Sequence, residues 1–170
     1  MRSITPQDIT NITRKHRYAK RQGQSPIGWL STQLDDQAKF WYRMLPEDID
    51  QNAEQHVTGL FIAPMSSVRL LRQHPDMVQM DCTYKTNRFA MPMLSICGST
   101  NDRITFQIAA CFLSGEKQAD YTWAIECLGN FYVQYNIPRP RSMCTDRELA
   151  LIGSLRTNPI FQQIPRLMCR

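Results

Sequence analysis

Two aspartates stand where short apolar runs end. Asp81 follows Met77-Val78-Gln79-Met80 and is itself followed by Cys82-Thr83-Tyr84-Lys85-Thr86-Asn87. Asp146 follows Ser142-Met143-Cys144-Thr145, and a helical pattern, Arg147-Glu148-Leu149-Ala150-Leu151, begins at once. Carboxylates are hard oxygen ligands, and Mg2+ takes one or two of them while keeping several waters. Paired ions roughly 3.5–4 Å apart can stabilise the attacking and leaving oxygens of an in-line phosphoryl displacement. Two strands that each deliver one aspartate to the same sheet edge would make half of such a site. A structural role fits the same residues, because an aspartate after a strand commonly forms a turn or caps a helix, as Asp146 could here. Spacing alone leaves both readings open. His16, His56 and His74 are scattered among polar residues with no metal-ligand spacing.

The elements that must position these acids emerge from the hydrophobic pattern. Met77–Thr83, Met91–Ser99 and Ile104–Leu113 read as three consecutive strands separated by short polar turns. Their near-continuous apolar character suggests strands buried on both faces. A helix from Tyr121 to about Tyr135 comes next, stopped by Ile137-Pro138-Arg139-Pro140. Arg141–Thr145 is a fourth strand, Glu148–Arg156 a helix, and Arg166–Cys169 a fifth strand. A meander followed by alternating helices and strands implies a mixed sheet with helices on its faces. If the first and fourth strands are neighbours, Asp81 and Asp146 meet.

Upstream, Thr5-Pro6-Gln7-Asp8 carries the signature of a helix start, with Ile9 and Ile12 as its stripe. Arg14, Lys15, Arg17, Lys20 and Arg21, with Tyr18 among them, could contact phosphates or form a solvated face. Ser25-Pro26 repeats the cap, and Ile27, Leu30, Leu34, Ala38 and Trp41 recur at helical spacing. Pro46 to Gln55 is an acidic surface loop, Val57–Ala63 a strand, and Val68, Leu70 and Leu71 mark a short helix ended by His74-Pro75-Asp76.

The 170 residues suffice for one ordinary domain. Hydrophobic content of 42% with 21% charged residues excludes a disordered chain. No apolar run reaches the roughly 20 residues needed to cross a bilayer, and the first residues lack the apolar core of a signal peptide. No membrane partner is expected. The net charge of +5 permits a nucleic-acid partner. Six cysteines without a C-x-x-C pair, five of them in apolar segments, read as free buried thiols of a reducing compartment.

Four ordered motifs add a resemblance. M-D-C-T-Y-K-T-N at 80–87, C-F-L-S-G-E at 111–116 with D-Y-T-W-A at 120–124, T-D-R-E-L-A-L at 145–151 and L-M-C-R at 167–170 resemble the transposase domain of Mutator-like elements. The resemblance runs from about Thr5 to the end. It implies an α/β, ribonuclease H-like fold with an Asp-Asp-Glu triad that binds Mg2+ or Mn2+. It implies partners in transposon-end and target DNA, a nuclear location, and assembly with further copies. Asp81 and Asp146 match the first two acids, as catalytic residues and metal ligands. Cys169 matches the cysteine of a C-x-x-H motif, and the family's third acid lies beyond Arg170. Glu116 and Glu148 match no triad position and read as structural or surface residues. The expected layout is a helical basic region over 1–56 and a partial, C-terminally truncated catalytic domain over 57–170.

Three functions are open: a transposase core or remnant, catalytically incomplete without its third acid; a domesticated DNA-binding or regulatory protein that keeps the fold without cutting; and a nuclease on the same fold. Retention of Asp81 and Asp146 favours the first, and the missing third acid the second.

Overall fold

A computed structural model of the chain describes residues 11, 15, 18–21, 23, 24, 26–46, 57–83, 87 and 89–168. The expected helix start at Thr5-Pro6, the acidic loop over 47–55, Tyr84, Lys85 and Cys169 lie outside the described residues. The chain divides into two compact units, Met1–Asp36 and Gln37–Arg170.

In the first unit, helix α1 spans Pro26–Leu34. The apolar spacing predicts a helix that runs on through Ala38 and Trp41. It stops at Leu34 instead, and Phe40–Pro46 forms strand β1 of the second unit. Phe40, Trp41 and Tyr42 are residues that suit a pleated, half-buried surface. Trp41 gains more as a strand residue. It is 5% exposed, stands edge-on to Phe61 with ring centroids 5.6 Å apart, leans on Phe131, and donates its Nε1–H to Gln134 Oε1 at 2.8 Å. Tertiary burial therefore overrides a helical repeat that is real in the sequence.

The second unit is built on one sheet of seven strands. They are β1, β2 (Val57–Pro64), β3 (Met77–Thr83), β4 (Met93–Ser99), β5 (Thr105–Phe112), β6 (Ser142–Thr145) and β7 (Arg166–Met168). Their spatial order is β1-β2-β5-β4-β3-β6-β7. The first five pair antiparallel, while β6 lies parallel to β3 and β7 parallel to β6. Helix α2 (Ser66–Gln73) links β2 to β3, α3 (Gln118–Gln134) carries the chain from β5 to β6, and α4 (Leu149–Thr157) joins β6 to β7. The expected mixed sheet and its element order are therefore present, with β1 added at one edge.

The core lies between one sheet face and helices α3 and α4. Val78, Met80 and Cys82 of β3, Leu94 and Ile96 of β4, Phe61 of β2 and Met143 of β6 are buried there against Tyr121, Ile125, Leu128 and Phe131. Burial of both faces, expected from the apolar runs, does not hold for β3. Gln79, Asp81 and Thr83 are exposed, and buried and exposed residues alternate along the strand. The polar side chains fall on every second position, the period at which a strand changes face. Asp81 thus belongs to the open face.

Among the described residues no helix is long and apolar enough to cross a membrane. Cys82, Cys97, Cys111 and Cys127 are free thiols. A groove of about 540 Å³ is lined by Met65, Val68, Arg69, Arg72, Gln73 and Tyr135 and by neither aspartate.

Candidate functional site

The parallel pairing of β3 with β6 decides where the two aspartates go. Its register sets Val78 against Met143, Gln79 against Cys144 and Met80 against Thr145. The next residue of each strand is an aspartate. Asp81 and Asp146 therefore emerge side by side at the carboxyl edge, on strands separated by roughly 4.8 Å. Asp81 belongs to the open side, and Asp146 stands one residue past the end of β6.

Asp146 is half-buried and anchored by the start of the next segment. Its Oδ1 accepts the Glu148 N–H at 3.3 Å, and the Thr145 hydroxyl donates to the Asp146 carbonyl at 2.9 Å. Its position also suits a helix cap. The N-cap of α4 is Glu148 instead, whose Oε1 accepts the Ala150 N–H at 3.1 Å. Asp146 is thus held by one amide just ahead of the helix. Asp81 is exposed, opposite Ser95 of β4. Asn87 closes the loop between β3 and β4: its side chain accepts the Phe89 and Met91 amides and donates to the Met91 carbonyl at 2.7 Å.

A second group of polar side chains meets the same edge from the helix-covered face. The Cys82 thiol donates to Glu116 Oε1 across 3.8 Å. Burial pushes this thiol above its ordinary value; the Tyr121 hydroxyl opposes the rise, and the Glu116 and Asp146 carboxylates add to it. Tyr121 has no exposed surface, and its hydroxyl faces the Cys82 thiol. Burial raises this hydroxyl too, followed by the influence of Cys82, Glu116 and Glu148. Raised in this way, both groups stay protonated at neutral pH, and the thiol donates to the Glu116 carboxylate.

The two aspartates singled out by the sequence are brought together. Glu116, expected to be structural or surface, is half-buried against Cys82. Tyr121 is core, as expected, yet its hydroxyl ends among the acids. The sequence signal for both lay in the C-F-L-S-G-E and D-Y-T-W-A motifs, whose side chains converge through the turn between β5 and α3. Among the described residues no three His, Cys, Asp or Glu side chains are grouped closely enough to hold one metal ion. Two neighbouring carboxylates still suit a cation that fills most of its coordination sphere with water, as Mg2+ does.

Residues 77–170 match the MULE transposase domain. The chain is also 21% identical over 154 residues to the protein FAR1-RELATED SEQUENCE 5 of Arabidopsis thaliana, a match covering 89% of this chain and 18% of that protein. The chain thus spans about a fifth of the length of this relative. No solved structure matches.

Proposed function

The chain belongs to the MULE transposase domain family, and from that premise we propose that it carries a two-aspartate, divalent-metal site for phosphodiester chemistry on DNA. The observation that supports this reading best is the β3–β6 register, which sets Asp81 beside Asp146 at one sheet edge. The antiparallel meander followed by the parallel β6 and β7 also suits a ribonuclease H-like fold.

In this reading Asp81 and Asp146 hold Mg2+ or Mn2+, and the bound ion would activate water and neutralise charge on the scissile phosphate. Asp81, exposed on the open face, is reachable by a bulky duplex. Asp146 is kept in place by the Glu148 amide, so its carboxylate need not be ordered on binding. The first turn of α4 lies immediately beyond, where unpaired amides favour a negatively charged neighbour. DNA as substrate, assembly with further copies and a nuclear location belong to the same proposal.

A second reading, DNA binding without cleavage, draws on the absence of a third grouped ligand among the described residues. Two measurements separate them. Calorimetric titration with Mn2+ should show binding that Asp81→Asn lowers by more than about tenfold. Terminal-repeat DNA should be nicked in Mg2+ or Mn2+ by the unaltered chain and not by the variant. Equal nicking by Asp81→Asn would remove the assigned role. DNA binding without nicking, unaffected by metal, would leave the second reading standing.

A further inference from the structure

The groove bordered by α2 and the last residues of α3 contains neither aspartate, and its chemistry is cationic and aromatic. We infer that it binds one nucleotide of single-stranded DNA, with Arg69 and Arg72 on the phosphate and the Tyr135 ring against the base. The choice of DNA rests on the family reading above, but the groove needs neither Asp81 nor Asp146. Its volume of about 540 Å³ is that of a small-molecule site. Met65 and Val68 give it an apolar lining, Arg69, Arg72 and Gln73 are exposed, and Tyr135 is half-buried.

Arg69 and Arg72 stand three residues apart on α2, a spacing that puts two side chains on one helix face. Arg72 donates an Nη2–H to the Tyr135 carbonyl. Tyr135 is the C-cap of α3, where carbonyls carry partial negative charge and favour a cation. The guanidinium is thereby held in place with N–H groups to spare, since it has five. Its planar fork matches phosphate oxygens in pairs. No acid lines the groove. The nearest acid along the chain, Asp76, already pairs with Arg141 at 3.0 Å. The positive charge of the groove is therefore available to an anion.

The Tyr135 ring selects the class of anion. It is braced edge-on by Phe131, with ring centroids 5.2 Å apart, so it costs little to order. Braced aromatic rings beside backbone-binding cations are how single strands are held with little regard to sequence. A base can stack on such a ring only where the strand is unpaired. An acidic peptide would engage the arginines and leave the ring idle. A carboxylate edge such as that of Asp81 and Asp146 repels phosphate, so cationic surface elsewhere must supply the attraction.

The test is fluorescence anisotropy of a short labelled oligothymidylate titrated with the 170-residue chain in EDTA, over a range of salt. Arg69→Glu and Tyr135→Leu, which keeps an apolar side chain against Phe131, are compared with Tyr135→Phe and with Arg156→Glu on exposed α4 surface. Arg69→Glu should weaken binding about tenfold or more and flatten the salt dependence by about one phosphate contact. Tyr135→Leu should weaken it about 5- to 100-fold, while Tyr135→Phe and Arg156→Glu bind as the parent does. The inference falls if Arg69→Glu or Tyr135→Leu binds as tightly as the parent, or if Arg156→Glu loses as much as Arg69→Glu. It also falls if a polyglutamate peptide displaces the label as well as unlabelled oligothymidylate does, which would make the groove a peptide site. Because EDTA removes any metal, Asp81→Asn should bind normally here. A failure in this assay therefore leaves the aspartate reading to its own nicking test, and a failure there leaves the groove standing.

Discussion

A thiol enclosed by hydrocarbon keeps its proton long after a thiol in water has lost it. Cys127, on the buried side of α3, is 4% exposed, and burial pushes it up from 9.0 to about 12, against a lowering by Arg43. In the unfolded chain this group ionises near 9.0, while the folded chain holds the proton to about 12. The folded state then binds more protons across that window, so its stability is complete below the window and declines as pH rises through it. Cys111 and Tyr132 shift in the same direction through burial and add to the decline. The thermal unfolding midpoint should therefore drop above pH 9.0, and less steeply in Cys127→Ala. Parallel profiles for the two proteins would remove Cys127 as a source. Residue types announce the chemistry of the site only in part. An acid after an apolar run is visible in one dimension, which singles out Asp81 and Asp146. Glu116 and Tyr121 are not visible in that way, because their meeting depends on a turn clamped by Asp120, and nothing in the spacing of a glutamate and a tyrosine signals a shared edge.

Elements obey local pattern where local and global preferences agree. β3 spans Met77–Thr83 as expected, and α2 covers the short apolar stripe at Val68, Leu70 and Leu71. Helix α3 begins at Gln118, three residues before the expected Tyr121, because Asp120 accepts the Lys117 amide and so nucleates an earlier first turn. Its seat on the sheet depends on a small residue in β2. A Cβ at Gly59 would stand 2.8 Å from Trp123 Cζ3 and 3.1 Å from Leu45 Cβ, so the indole lies directly on the strand. Gly59→Ala should therefore destabilise the fold by about 1–3 kcal/mol through overpacking, read as a lowered urea midpoint with an unchanged slope. An unchanged midpoint would mean that the ring slides aside at little cost. β1 shows the opposite case. Its aromatic residues continue a helical repeat, and only the presence of Phe61 and Phe131 decides that they extend as a strand.

At the scale of the molecule, that edge strand ties the chain before β2 into the core. Trp41 contacts Phe61 across the sheet and Phe131 on α3, and its indole N–H bonds Gln134 near the end of the same helix. Trp41→Ala should cost about 3–5 kcal/mol, measured by denaturant unfolding of the whole chain. A loss below about 1 kcal/mol would show that β1 is an ornament of the sheet and not part of its core. The same global arrangement sets the two aspartates together, since β6 joins β3 only after the chain has passed through two antiparallel strands and a long helix.

Ordered motifs and apolar periodicity are enough to recognise the family and the order of most strands and helices, and they single out two acids. These rest on local signals: ordered motifs, the period of apolar residues, and polar groups at the ends of apolar runs. The tertiary structure decided which strands are neighbours, which face of β3 is open, that Trp41 belongs to a strand, and that Glu116, Cys82 and Tyr121 meet. The reason is physical. Strand pairing and side-chain convergence are set by contacts between residues far apart in the chain, and a one-dimensional pattern carries no term for them.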